Sequence, residues 1–377
     1  MILIALISFL LISLYLLLIV RWHYAWKKHP SFTTPLQVAP VKLSVIIPVR
    51  NESENILAVL HSILAQSHPS QCIEIIIADD NSTDDTVSKA QSFFKEHSTI
   101  NSIVIENDIS HSSKKQVLKC AIEQSTGELI ITTDADCLHH PDWLKTIAGY
   151  YSTHQPVMIC GSVKMSGNNT FLQRFQEMDY LSLQASGAAS LLLDDPLLCS
   201  GANLAFSRVA YNLVHGYDDN LSIPSGDDTF LMLKMHKAFT SRVHFIKSEN
   251  SIVKTPCSAS WWHFFQQRIR WISKTKNYSN SYISSVAVFI SIINYWMLIL
   301  LAFSLSNSWV SIYLICYLLV KALVDYMFLS SVGKYFYIHI PKGSFIMMEL
   351  FYPFYLLILL AGTLRGSYEW KTRKHSI

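Results

Sequence analysis

The chain has 377 residues and a formal net charge of +3; half of its residues are hydrophobic and 15% are charged. An average soluble protein carries roughly 25% charged residues, so this composition points to a membrane protein. So small a charge excludes nucleic acid as the expected partner. Seven cysteines (Cys72, Cys120, Cys137, Cys160, Cys199, Cys257, Cys316) form no C-x-x-C pair, which fits a reduced compartment and argues against a structural zinc site.

Residues 2–20 are apolar apart from Ser8, Ser13 and Tyr15, about the ~20 residues a spanning helix needs. No basic segment precedes them and no small-residue cleavage site follows, so an uncleaved anchor over residues 1–21 is expected. Arg21, His23, Lys27 and Lys28, interleaved with Trp22, Tyr24 and Trp26, predict the cytosolic side of an interface. Residues 22–40, with Pro30 and Pro35, read as an extended juxtamembrane linker. From Val41 the pattern changes. Strands are expected at 43–47, 73–78, 102–105, 129–133 and 157–161. Helices are expected at 54–66, 84–94, 114–124, 142–151 and 171–193. This alternation predicts an α/β domain over residues 41–255, a mostly parallel sheet with helices on both faces. Residues 256–280 hold an aromatic and basic stretch from Trp261 to Trp271, expected as an amphipathic helix at a membrane interface; a buried helix with a charged edge is the alternative.

Three more apolar stretches follow, 286–304, 310–329 and 345–361, within a region of two to three spanning or re-entrant helices at 281–364. Lys321 and Asp325 are four apart on one face of the second, and intramembrane ions of this kind pair or face the protein interior. The third contains Glu349 and Pro353. Here the charge rule conflicts with the count of spans. A third full crossing would put the basic tail at 365–377 (Arg365, Lys371, Arg373, Lys374) outside, so residues 345–361 either cross against the rule or are re-entrant or interfacial.

The polar groups fall at the ends of the expected strands. Pro48-Val49-Arg50-Asn51-Glu52 follows the first strand, Asp79-Asp80-Asn81-Ser82-Thr83-Asp84 the second, and Asp134-Ala135-Asp136 the fourth. Cys199-Ser200-Gly201-Ala202-Asn203, Ser225-Gly226-Asp227-Asp228 and Gln267-Arg268-Ile269-Arg270-Trp271 come later. In open α/β sheets ligands bind outside the carboxyl ends of the strands. Two acids there, Asp134 and Asp136, make a hard oxygen site suited to a divalent cation carrying a phosphorylated ligand. Taken in order, over roughly residues 42–275, the set resembles the family 2 glycosyltransferases with a GT-A fold, in particular the membrane-embedded branch that includes cellulose and hyaluronan synthases.

That resemblance implies a site. Asn51, Glu52, Asp79 and Asp80 would line a nucleotide pocket. Lys114 or Lys115 would face the donor diphosphate, with Lys119 standing where the family often has Asn. Asp136, with Asp134, would hold Mg²⁺ or Mn²⁺ across the diphosphate oxygens, where the ion neutralises charge on the leaving group. Asp228 would be the general base. Asp227 stands where Glu is commoner, which leaves open which of the pair takes the proton. Gln267, Arg270 and Trp271 would lie on a helix that closes the donor and acceptor sites, Arg270 suited to the phosphates and Trp271 to a sugar of donor or acceptor, while Gly201 and Asn203 would lie near the acceptor. His139 and His140 are expected at the surface and not as metal ligands.

The reading that follows is an inverting, metal-dependent transferase with its catalytic domain in the cytosol, at a bacterial inner membrane. It would move a sugar from a nucleotide-sugar, a UDP-sugar in the first instance, to a lipid or lipid-linked glycan. A processive polysaccharide synthase and a non-catalytic nucleotide-sugar-binding subunit are the competing readings. A dinucleotide-dependent oxidoreductase is excluded, because no G-x-G-x-x-G follows the first strand.

Overall fold

A computed structural model describes residues 2–106, 114–167, 170–221, 226–275, 278, 280–370 and 373–376; Ser225 and Lys371 lie outside them. The chain divides into two compact units. One comprises residues 30–180 and 196–258, the other residues 1–29, 181–195 and 259–377. The chain opens with α1 (Ile2–Lys28) of the second unit and then builds the first as β1 (Leu43–Val49), α2 (Ile56–Leu64), β2 (Ile73–Asp79), α3 (Thr86–Glu96), β3 (Asn101–Glu106), α4 (Lys114–Gln124), β4 (Leu129–Thr132), α5 (Trp143–His154), β5 (Met158–Cys160) and β6 (Val163–Ser166). After α6 (Phe171–Leu191) come β7 (Leu204–Ser207), α7 (Arg208–Leu213), α8 (Asp227–Ala238), β8 (Val243–Phe245) and β9 (Val253–Pro256).

Seven of these strands form one sheet in the order β3-β2-β1-β4-β7-β5-β8. All neighbours pair in parallel except β7, which runs antiparallel to both β4 and β5. The sequences explain the placement. β2 (IEIIIAD) is buried along its whole length and β1 (LSVIIPV) at all but one position, as central strands covered on both faces must be. The edge strand β3 is exposed at both ends. Because β1, β2 and β4 are parallel neighbours, their carboxyl ends bring residues 50–52, 79–84 and 134–136 to one edge of the sheet. The mostly parallel α/β sheet expected from the sequence is therefore present.

The segment expected as an extended linker is strapped onto this unit. Phe32 N–H donates to the Lys247 carbonyl (2.7 Å), and the Thr34 and Thr146 hydroxyls are 2.7 Å apart. Gly149 leaves room for Pro35 and Val38, each 3.2 Å from where a Cβ would stand. Extended chain has unspent backbone donors and acceptors, and here at least one is spent on the sheet unit.

The second unit contains α1, α9 (Trp261–Ser273), α10 (Ser281–Ser304), α11 (Ser308–Tyr335) and α12 (Lys342–Leu364), then a hairpin of β10 (Ser367–Trp370) and β11 (Arg373–Ser376). Four of these helices, α1, α10, α11 and α12, are long and apolar enough to cross a membrane. α1 and α11 run in the same direction, with Trp22 against Phe328 (6.3 Å between ring centres) and Trp26 against Tyr335 (5.3 Å). The pairing expected of Lys321 and Asp325 is present and larger than the sequence indicated. Lys321 Nζ donates to Asp325 Oδ2 (2.9 Å) and to Glu349 Oε2 on α12 (2.6 Å), while the Tyr15 hydroxyl of α1 donates to Asp325 Oδ1 (2.5 Å). α12 is one continuous helix with Pro353 inside it.

Candidate active site

The loops after β1 and β2 are laced together by backbone-to-side-chain bonds. Asn51 N–H donates to Ser82 Oγ (2.9 Å), Thr83 N–H to Asn51 Oδ1 (2.8 Å), Glu52 N–H to Thr86 Oγ1 (2.8 Å) and Ser53 N–H to Asp84 Oδ2 (3.1 Å). Asn51 and Asn81 both sit at positive φ, +50° and +55°, a conformation Asn tolerates better than most residues. Burial pushes the Asp84 carboxyl up, but hydrogen bonds from Thr86 and Ser53 outweigh it and hold the group down at about 2. Arg50 reaches across from the β1 loop to the Asp80 carbonyl and lies 3.8 Å from its carboxylate. Asn51, Glu52, Asp80 and Asp84 thus shape the two loops.

Asp79 differs. It is 4% exposed, and one oxygen accepts from Ser82 N–H (3.0 Å), while Oδ1 is buried and has no hydrogen-bond partner among the described residues. Buried carboxylate oxygens without a partner are rare because their desolvation is uncompensated. This oxygen is chemically suited to an N–H or O–H of a ligand.

At the end of β4, Lys114 Nζ lies 2.7 Å from Asp134 Oδ1. Its neighbour Lys115 is fully buried, with its ammonium 4.6 Å from the centre of the Phe230 ring. The two lysines that the sequence could not separate therefore part company, and Lys114 is the one on the Asp134–Asp136 loop. Lys119 instead pairs with Asp218 (2.6 Å). Asp134 is partly open, its side chain 40% exposed, and Asp136 is half-buried. Burial, then the Asp136 and Asp134 carboxylates, push the Cys137 thiol well above its usual value, which keeps it neutral. Among the described residues no group of three His, Cys, Asp or Glu side chains could hold a metal. Asp134 and Asp136 offer two hard oxygen donors, and a cation bound there would complete its shell with ligand oxygens.

His139 is half-buried rather than on the surface. Its Nδ1 bonds the Ser62 hydroxyl and its Nε2 the Thr133 hydroxyl, both at 2.8 Å, and its ring lies against Trp143. Burial holds it down at about 3, so it is a neutral strut behind the Asp134 loop. His140 is exposed.

Asp227 and Asp228 open α8 after Gly226, which has φ +83°. Asp227 is buried and Asp228 half-buried. Asp228 Oδ1 accepts from Thr229 N–H (2.7 Å) and Oδ2 from Gly201 N–H (3.2 Å). The Gly201 carbonyl in turn accepts from the Thr132 hydroxyl (2.8 Å) at the end of β4. A Cβ at Gly201 would stand 3.5 Å from Asp227 Oδ2 and 3.9 Å from Asp228 Oδ2. The turn at Gly201 thus fastens the two acids of α8 to the strand that carries Asp134 and Asp136. Asn203 is 2% exposed, and its amide is taken up by Trp143 Nε1 (3.0 Å) and the Ser162 and Ser251 carbonyls (2.8 and 2.7 Å), so its part is to hold this turn. Thr132 and Trp143 carry no motif signature and escaped the sequence reading. Thr132 lies in the Thr-Thr-Asp-x-Asp run but reads there as strand.

Gln267, Arg270 and Trp271 lie on α9, in the other unit. α9 is capped by Ser260 Oγ, which accepts from His263 N–H. It lies along α12 in the same direction. Trp261 meets Phe351 (5.9 Å), Phe264 stacks on Tyr355 (5.7 Å, 20°), and Gly362 leaves the space that the Ile269 side chain fills.

Two family models match the chain, Glycosyl transferase family 2 over residues 44–213 and Glycosyl transferase family group 2 over residues 129–362, the latter more than half of it. The chain is 30% identical over 146 residues to glycosyltransferase AglE of Haloferax volcanii, which covers 38% of this chain and 47% of that protein. It is 26% identical over 294 residues to an N-acetylglucosaminyltransferase of Rhizobium leguminosarum bv. viciae, covering 73% and 67%. It therefore spans about half the length of AglE and two thirds of the rhizobial protein. The solved structure of mannosyltransferase PcManGT from Pyrobaculum calidifontis in complex with GDP-Man and Mn²⁺ has the same fold, with a TM-score of 0.58 at 18% identity over 96% of this chain and 97% of that one. With its GT-A sheet and its apolar flanking helices, the chain belongs to the family 2 glycosyltransferases.

Proposed function

We propose that the protein is an inverting, metal-dependent glycosyltransferase that moves a sugar from a nucleotide-sugar, a UDP-sugar first, to a lipid or lipid-linked glycan at the cytosolic face of the cell membrane. The observation that carries this reading is the chain of bonds from Thr132 through Gly201 to Asp228. It puts a pair of carboxylates beside the strand end that bears Asp134 and Asp136. Asp228, the more exposed of the pair, takes the acceptor proton, and direct attack by that hydroxyl on the anomeric carbon inverts its configuration without an enzyme nucleophile. Asp134 and Asp136 hold Mg²⁺ or Mn²⁺, which stabilises the negative charge on the departing nucleoside diphosphate. Lys114 supplies a second positive group there, and the unpartnered Asp79 oxygen accepts from the nucleotide. By motif alone, Gln267 and Arg270 are assigned to the diphosphate and Trp271 to the sugar. The Mn²⁺ and GDP-Man named for PcManGT support a metal and a nucleotide-sugar. The four candidate spans among the described residues are few for a polymer channel in one chain, which favours a lipid acceptor over processive synthesis.

The test is a panel of labelled UDP- and GDP-sugars incubated with membranes containing the protein, with Mn²⁺, Mg²⁺ or EDTA. The expected result is a solvent-extractable glycolipid, lost in EDTA and of inverted anomeric configuration. Asp228→Asn should lower turnover by about 10²–10⁴-fold with donor binding kept. A polymer would establish the processive reading instead. A metal-independent or configuration-retaining reaction, or full turnover by Asp228→Asn, would overturn the mechanism.

A further inference from the structure

Within α9 the motif residues Gln267 and Trp271 are joined by a residue the motif leaves unspecified. Arg268 is 2% exposed. Its guanidinium carbon lies 4.2 Å from the centre of the Trp271 ring and 4.7 Å from that of Phe264. Its Nη1 donates to Gln267 Oε1 at 2.6 Å. Residues 264, 268 and 271 follow one another at helical spacing of four and three, so they form one stripe, buried at Phe264 and Arg268 and half-buried at Trp271.

Burying a guanidinium is costly unless its charge and its N–H groups are satisfied. An aromatic face within about 6 Å offsets part of that cost, more so when the pair is desolvated. The ion therefore has a reason to stay over the two rings, and the rings a reason to stay around it. The Gln267 bond adds direction. With its oxygen committed to Arg268, the Gln267 side-chain amide is turned so that its NH₂ group is the end left to donate. Phe264 is itself stacked on Tyr355 of α12, so this arrangement is tied to a long helix and not to a free side chain.

We infer that Arg268 is a positioning residue for sugar transfer, fixing the Gln267 amide and the Trp271 ring in the orientations used at the donor diphosphate and the sugar. The inference rests on the proposed glycosyltransferase reading of the Gln267-x-x-Arg270-Trp271 motif. Arg268 itself touches no substrate. Its removal acts by letting two other groups wander, and misplacement of about 1 Å is worth roughly a hundredfold in rate.

The experiment is a double-mutant cycle on the full-length protein in membranes, reading nucleoside diphosphate release with whichever sugar the donor panel identifies. Gln267→Ala, Arg268→Met and the double variant are compared, with kcat and donor KM measured separately. Arg268→Met should lower kcat by about a hundredfold, chiefly without raising donor KM, and Arg268→Lys, which keeps a cation over the rings, should restore part of it. The double variant should lose less than the product of the two single losses, because a residue acting partly through its neighbour is non-additive with it. Additive losses would overturn the positioning role while leaving the motif's role intact. Gln267→Ala with full turnover would instead overturn the motif assignment itself. If Arg268→Met yields no folded protein, Arg268→Lys carries the cycle, and a Lys variant additive with Gln267→Ala counts against the inference.

Discussion

Lys321 provides a sharp test of the energetics of the membrane unit. It is 3% exposed on α11, 2.9 Å from Asp325 and 2.6 Å from Glu349, and its ammonium lies 5.7 Å from the centre of the Tyr15 ring. One lysine thus serves two carboxylates on two helices, and a third helix is joined through the Tyr15 hydroxyl. Lys321→Met keeps the volume and removes the cation, leaving two acids facing each other in apolar surroundings. Breaking a buried pair from one side costs about 3–5 kcal/mol, which corresponds to a fall in melting temperature on the order of 10 °C. Glu349→Gln should behave differently. It leaves Lys321 and Asp325 as a balanced pair and gives the lysine an amide oxygen to donate to, so its expected cost is near zero. The triple variant Lys321→Met, Asp325→Asn, Glu349→Gln, with no charge left, should recover most of the loss, since replacing a whole buried ion cluster is close to neutral. Thermal melts of the purified protein in lipid nanodiscs read all three. If Lys321→Met melts with the wild type, or if Glu349→Gln falls as far as it does, the charge-count argument is wrong.

Two further outcomes follow from other parts of the chain. His139 is held at about 3 in the fold against about 6.5 when unfolded, so below pH 6.5 the unfolded chain binds the extra proton; stability is complete above pH 6.5 and is lost as pH falls toward 3, by at most about 1.4 kcal/mol per pH unit. The wild-type melting temperature should therefore drop more between pH 7.5 and 5.0 than that of His139→Gln, and equal drops would show that His139 does not stay neutral in the fold. The C-terminal tail should lie on the same side of the membrane as α9, because strand β10 packs on α9 and Tyr368 lies near Arg270 and Lys274. With α9 at the cytosolic face, as proposed, an epitope tag appended after Ile377 should be reached by antibody only after cells are permeabilised, and labelling of intact cells would refute the placement.

Much of this was readable in the sequence, for physical reasons that differ from place to place. β1 and β2 are legible because strands buried on both faces must be unbroken apolar runs, and a run such as Ile75-Ile76-Ile77 admits little else. The acids after β4 are legible because carboxylates at a strand's carboxyl end have few structural uses. Lys114 and Lys115 are different: adjacent residues on a helix point about 100° apart, and sequence does not say which direction faces the sheet edge. Only packing does, by burying Lys115 against Phe230. The strap at residues 32–38 and the His139 strut depend on partners 77 or more positions away (Thr133 and Trp143 aside), such as Ser62 and Lys247, and local pattern carries no trace of them.

The conflict between the charge rule and the number of spans has the same origin. Counting crossings treats each apolar helix as one independent passage through the bilayer. α12 is not independent. Its first turns follow α11 through Phe345 on Tyr326 and Glu349 on Lys321, and from Phe351 to Gly362 it runs alongside α9. α12 thus begins beside the second half of α11 and ends beside α9, the helix preceding α10. Its course is set by two neighbouring helices, which a rule that counts isolated passages takes no account of. Apolar length and hydropathy are the same for a helix that crosses and one that lies along another, so the sequence alone presents the two as equals.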